Sequence, residues 1–103
     1  MRDERVVDTG LEYAPGDHVL VRVVRREGRT SITDDGAAVE RAGRPPGWRD
    51  AAEGVEDALV VNVSRQGVIF LPLSRRGPLG EEEIVHRIGE ASLALYEELL
   101  ELE

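Results

Sequence analysis

The chain has 103 residues, 13 of them arginine and none lysine, with 21 acidic residues and a net charge of −8 at pH 7. That length supports one hydrophobic core and not two. With no cysteine, a disulfide framework, a thiolate zinc site and a cysteine nucleophile are excluded, and no stretch approaches the ~18 apolar residues that a membrane span needs.

The charge is unevenly placed. Residues 1–80 hold 12 arginines against 13 acids, whereas residues 81–103 hold one arginine against 8 glutamates. Such a field disfavours nucleic acid and anionic membranes as partners. A protein partner or a second copy of the chain is the expected alternative. The first residues, Met1-Arg2-Asp3-Glu4-Arg5, are charged and lead into no apolar run, so the chain reads as cytoplasmic.

The whole of 1–103 reads as a single α+β domain. Residues 1–17 carry the weakest pattern and read as a loosely attached lead-in, ending in a turn at Ala14-Pro15-Gly16-Asp17. From His18 to Val24 the chain is rich in β-branched residues, with Val19, Val21 and Val23 on one face and Leu20, Arg22 and Val24 on the other, which predicts a strand. Arg25-Arg26-Glu27-Gly28-Arg29 makes a hairpin connection, with Gly28 available for a positive φ, and Thr30 to Thr33 returns as a second strand. Thr33-Asp34-Asp35-Gly36 ends the hairpin and leads into a short helix over Ala37–Arg41, where an Asp or Thr can cap the first turn.

Gly43-Arg44-Pro45-Pro46-Gly47 breaks that helix. Trp48 follows, then a second short helix over Arg49–Glu56. Leu59 to Val63 is expected to be a third strand and Val68 to Leu73 a fourth, joined by a tight turn at Ser64-Arg65-Gln66-Gly67. Pro72 cannot donate to a ladder, which places its strand at an edge or at its end.

Glu81 to Glu103 is an amphipathic helix, with Ile84, Ile88, Ala91, Leu95, Leu99 and Leu102 recurring at intervals of three or four. Val85, Tyr96 and Leu100 widen its apolar face to about half the cylinder. The expected fold is therefore two β-hairpins forming a mostly antiparallel sheet, short helices between them, and the long C-terminal helix packed on one face.

Three groups of residues could carry function. Asp34 and Asp35, with Glu40 as a third oxygen donor, are candidate ligands for a divalent metal, although adjacent residues point apart in extended chain. A turn and helix cap explains the same residues. Arg22, Arg25, Arg26 and Arg29, with Arg75 and Arg76, could grip phosphate or carboxylate. However, Tyr13, Trp48, Phe70 and Tyr96 are the only aromatics, and they offer no base-stacking platform. The third group lies on and around the long helix: Gly89, Ser92, Leu93, Tyr96, Leu100 and Trp48 form a candidate partner interface. That apolar face is wider than one sheet face needs, and Gly89 permits a close approach. His18 and His86 belong to no recognised catalytic order, and no glycine-loop, G-x-S-x-G or H-E-x-x-H motif occurs. No cofactor is implied.

The segment Ile32-Thr33-Asp34-Asp35-Gly36-Ala37 resembles the bacterial and phage family catalogued as domain of unknown function 1828. There an apolar hairpin runs into a Thr-Asp-Asp-Gly turn and a short helix, followed by more strands and a C-terminal helix. The likeness spans roughly Asp17 to Leu102, without the loop of Pro45, Pro46 and Trp48. It implies an α+β domain and a setting among mobile or defence-related genes, and it supplies no catalytic residues.

Together these readings favour a non-enzymatic interaction or regulatory module, as a homodimer or with a protein partner. A metal-dependent nucleotide- or phosphoryl-processing enzyme using Asp34 and Asp35 is the alternative. Nucleic-acid binding through Arg22, Arg25 and Arg29 comes third.

Overall fold

Alternating burial organises the centre of the sheet. In the computed structural model, which describes residues 2–74 and 77–102, the β-branched run is β2, Asp17–Arg26, with Val19, Val21 and Val23 buried. Arg75, Arg76 and Glu103, named above, lie outside the described residues. A two-residue turn, Glu27-Gly28, has φ of 51° and 76°. Positive φ at both positions is the type I′ geometry that matches strand twist, and it delivers β3, Arg29–Thr33, back against β2 with Val23 opposite Ile32.

The lead-in expected over residues 1–17 is instead β1, Arg2–Ala14, the longest strand of the sheet, antiparallel to β2 and joined to it by Pro15-Gly16. Its pattern is hard to read because Asp3, Glu4, Arg5 and Asp8 occupy both faces. An edge strand tolerates this, since only one side of its ladder and part of one face need covering. The pairing is regular from Arg2 to Asp8 and then slips, with Gly10 at φ 81°.

The helices take up the chain between the hairpins. Helix α1 is Ala37–Ala42 and α2 is Trp48–Leu59. The third expected strand is correspondingly short. Leu59 ends α2, Val60 turns left-handed with φ 55°, and only Asn62–Val63 remains as β4. Leu59, Val61 and Val63 fit a strand period, but Trp48, Ala52, Val55 and Leu59 fit a helical one, and the helix wins by burying Ala52 and Val55. Strand β5, Ile69–Leu73, pairs with β3 on one side and with β4 on the other at Ile69 and Phe70 only, so Pro72 meets no β4 residue. The sheet is fully antiparallel, in the order β1-β2-β3-β5-β4.

Helix α3, Glu81–Glu101, starts with Glu81, Glu82 and Glu83 where the helix dipole favours acids. It lies at the centre of the molecule, with β1, β2, β3 and β5 beneath it and α1 and α2 packed alongside. Ile84, Ile88, Ala91, Leu95 and Leu99 complete the core with Ile32 and Ile69. The breadth of its apolar face is thereby explained within one chain: a sheet and two flanking helices cover it. Among the described residues no helix is long and apolar enough to cross a membrane.

Candidate functional site

The Thr-Asp-Asp-Gly segment is a turn tied to the strand beside it. The Asp34 N–H donates to the Ile69 carbonyl, and the Ile69 N–H donates back to Asp34 Oδ1 at 2.9 Å. Asp34 Oδ1 also accepts the Gly36 N–H at 2.8 Å, the hydrogen bond of an Asx-turn. Thr33 Oγ1 donates to the Ile69 carbonyl and accepts the Asp35 N–H. The residue at the N-cap of α1 is Gly36, without a side-chain cap bond. The capping expected of an Asp or Thr has become a clamp between β3 and β5.

Asp34 is 3% exposed, and its second oxygen reaches across the core. Ser92 of α3, fully buried, donates to Asp34 Oδ2 at 2.8 Å. With its one proton so used, Ser92 Oγ accepts from the Tyr13 hydroxyl of β1 at 2.6 Å. Burial pushes the Asp34 carboxyl above its ordinary value, against the hydrogen bonds from Gly36, Ile69 and Ser92. Burial likewise pushes Tyr13 up, which keeps it a donor. Tyr96 packs edge-on against Tyr13 with ring centroids 5.2 Å apart. Arg41 lies 4.5 Å over the Tyr13 ring while holding both Asp17 oxygens.

The metal candidates do not converge. Asp34 has its oxygens occupied from within, Asp35 pairs with Arg22 at 2.6 Å, and Glu40 pairs with Arg44. Among the described residues no three His, Asp or Glu side chains are grouped as metal ligands. A cleft of about 230 Å³ adjoins Asp34, Tyr13, Arg22 and Arg41. Its arginines are taken by Glu4 and Asp35 and by Asp17. The candidate nucleic-acid arginines divide in the same way. Arg22 points away from the core with its two acids, whereas Arg25, an odd number of residues along the strand, faces Glu81.

The expected partner surface on α3 is largely internal. Ser92 belongs to the Asp34 network, and Gly89 is buried against Thr9 of β1. Leu93 and Tyr96 are half-buried, Trp48 packs on the core beneath Arg44 and Arg49, and only Leu100 is well exposed. Close approach at Gly89 does occur, but the approaching group is a side chain of the same molecule.

The far side of β1 is open among the described residues. Strand β1 is the edge of the sheet, and between it and the first turns of α3 runs a groove of about 360 Å³. Val7 and Val85 form its apolar floor and Glu81 and Glu82 stand at its rim, while the Asp8 side chain is turned to the other face of β1, towards His18. Arg5, at the same rim, is hydrogen-bonded to Glu81. The α3 wall of this groove lies in the helix expected from the sequence, whereas its other wall, β1, was not recognised there. Comparison with protein-family models, with curated protein sequences and with solved structures returned no match.

On the other face of β1, Asp8 belongs to a titratable pair. His18 Nδ1 lies 2.8 Å from Asp8 Oδ2. The carboxylate raises His18 above 6.5, while the Gly10 N–H and then His18 lower Asp8 below 3.8. The raised imidazole contributes stability that is fully present below pH 6.5 and is lost as pH rises through its folded value. An NMR titration is expected to show His18 titrating above 6.5, and Asp8→Asn to return it to the ordinary imidazole range.

Proposed function

We propose that this chain is a non-enzymatic protein-interaction or regulatory module that takes its partner along the open edge of β1. The observation that carries the reading is the run Arg2 to Asp8: seven residues in regular ladder register with β2 and with no strand on their other side among the described residues. Sheet proteins interrupt, cover or charge such edges. Here the interruption comes only at Gly10, and a groove, not a covering element, lies beside the run. The charges of Asp3, Glu4 and Arg5 disfavour indiscriminate stacking and select for a complementary chain.

The likeness of Thr33-Asp34-Asp35-Gly36 to the 1828 family adds a setting among mobile or defence-related genes to this proposal. The metal-dependent alternative draws no support from Asp34, Asp35 and Glu40, each of which has a separate protein partner. A homodimer is one form the interaction can take, and it is tested by the same experiment. Amide hydrogen exchange is measured on the chain alone at high concentration and in complex with the protein it recovers from its native host. Slowed exchange from Asp3 to Asp8 is the expected result. A stable complex that leaves those amides unchanged overturns the edge as the binding element.

A further inference from the structure

We infer that the uncovered face of the sheet is a homodimer interface, on which a second copy of this chain packs face to face with its strands reversed. This surface is separate from the β1 edge, and the inference goes beyond the reading above. Helix α3 packs on the side of Val21, Val23 and Ile32, with α1 and α2 beside it. The alternate positions form the opposite face, which carries Val6, Leu20, Val24, Phe70 and Pro72. Val6 is 63% exposed and Leu20 46%. The solvated face of an antiparallel sheet is ordinarily polar, so five apolar side chains spread over four strands there point to a cover.

The charges of this face say what the cover is. At the end beside the Glu27-Gly28 turn, Arg26 and Arg29 stand opposite each other, with no acid partner among the described residues. At the other end Asp8 lies beside Leu20, and Asp35, half-exposed, gives one oxygen to Arg22. Arg22 itself, in the middle, is held by Glu4 and Asp35. Arg22, Arg26 and Arg29 thus balance Glu4, Asp8 and Asp35 on one face of a chain that carries −8. A two-fold axis running across the strands at the level of Val23 turns a second sheet end for end. By the register, it sets Arg29 over Asp35 of the second copy, Arg26 over Leu20 and beside Asp8, and Phe70 over Pro72. Each contact then occurs twice, as an isologous interface requires.

Size and the placement of the remaining charge agree with this. Four strands of about six residues present a face of about 20 by 20 Å, and two such faces remove on the order of 1,000 Å² from water, the lower limit for a specific interface. Sheets stack about 10 Å apart with their strands within about 30° of each other. The two α3 helices, whose segment holds 8 glutamates against one arginine, become the outermost layers. They stand about 30 Å apart, well beyond the screening length of about 8 Å at physiological salt.

The test is sedimentation equilibrium of the full chain, joined to isotope-filtered NMR on a half-labelled sample. A dimer with Kd of about 1–100 µM is expected. Intermolecular NOEs should join Phe70 to Pro72 and Leu20 to Arg26. Two substitutions at exposed positions should each weaken association at least about tenfold: Leu20→Glu, which puts a charge into the apolar contact, and Arg29→Glu, which sets it against Asp35 of the second copy. Diluted to monomer, both variants should unfold within about 4 °C of the parent chain, which separates lost association from lost folding. A chain that is monomeric at about 1 mM, or a dimer that neither substitution weakens, overturns the proposal. So does a dimer whose NOEs join β1 edges or α3 helices. A host protein that shields Leu20 and Phe70 of a chain monomeric on its own overturns the second copy as the occupant. A dimer through this face whose native complexes leave the Asp3 to Asp8 amides unchanged removes the edge reading and supports this one.

Discussion

Replacing Asp34 by alanine is expected to cost about 3–5 kcal/mol of unfolding free energy, read from chemical denaturation midpoints at constant m-value. The substitution strands three donors. The Gly36 and Ile69 N–H groups lose the acceptor that closes the turn onto β5, and the Ser92 hydroxyl loses its acceptor in the core. Each buried donor left unmatched costs about 1–3 kcal/mol, with some relief from water entering the vacated space. Asparagine should cost far less, about 1 kcal/mol. Its Oδ1 keeps both backbone donors, and its amide can donate to Ser92 Oγ, whose own proton then turns to Tyr13. The pair of variants also tests the charge. Burial holds the native carboxyl above 3.8, so ionisation is harder in the folded than in the unfolded chain. The wild-type advantage over Asp34→Asn is therefore full below pH 3.8 and declines as pH rises through the folded value. An advantage that grows towards neutral pH contradicts this account of the site.

How far the sequence could be read depended on whether a segment's own residues carried its constraint. The β2–β3 hairpin was legible because strand alternation and a Glu-Gly turn agree, and α3 because its period of 3.6 persists over five turns. Strand β1 was not, because what holds it is its partner: Val7 lies opposite Val21 and Arg5 reaches Glu81, and neither is a local signal. The boundary of α2 failed for a different reason, two periods being satisfied by one apolar run. Asp34 was conspicuous, but its use depends on Ser92, 58 residues away, and on Tyr13 in the strand that was missed. The candidate groove inherits the same blindness, since one of its walls is β1. The width of α3 was read correctly as more than a sheet can cover. The excess is taken by α1 and α2 of the same chain, whose shortness hid their contribution.

Gly89→Ala separates helix propensity from packing where α3 meets β1. In an isolated helix the change favours folding by about 1 kcal/mol. Here a Cβ at Gly89 stands 2.9 Å from Thr9 Cγ2 and 3.3 Å from Thr9 Cβ. Thr9 cannot rotate away freely, because its Oγ1 donates to the Val19 carbonyl and accepts the Leu11 N–H at the slip in β1. Overpacking of about 1–3 kcal/mol then opposes the propensity gain, and the expected net loss is up to about 2 kcal/mol. Its character should be local, with faster amide exchange in β1 near Thr9 than in the β2–β3 hairpin. Thr9→Ser removes the offending methyl and keeps the hydroxyl in place, so Thr9→Ser with Gly89→Ala should recover most of the loss and show a favourable coupling in a double-mutant cycle. Additive effects of the two substitutions would mean that Thr9 does not dictate glycine at position 89, and that β1 is held to α3 by other contacts.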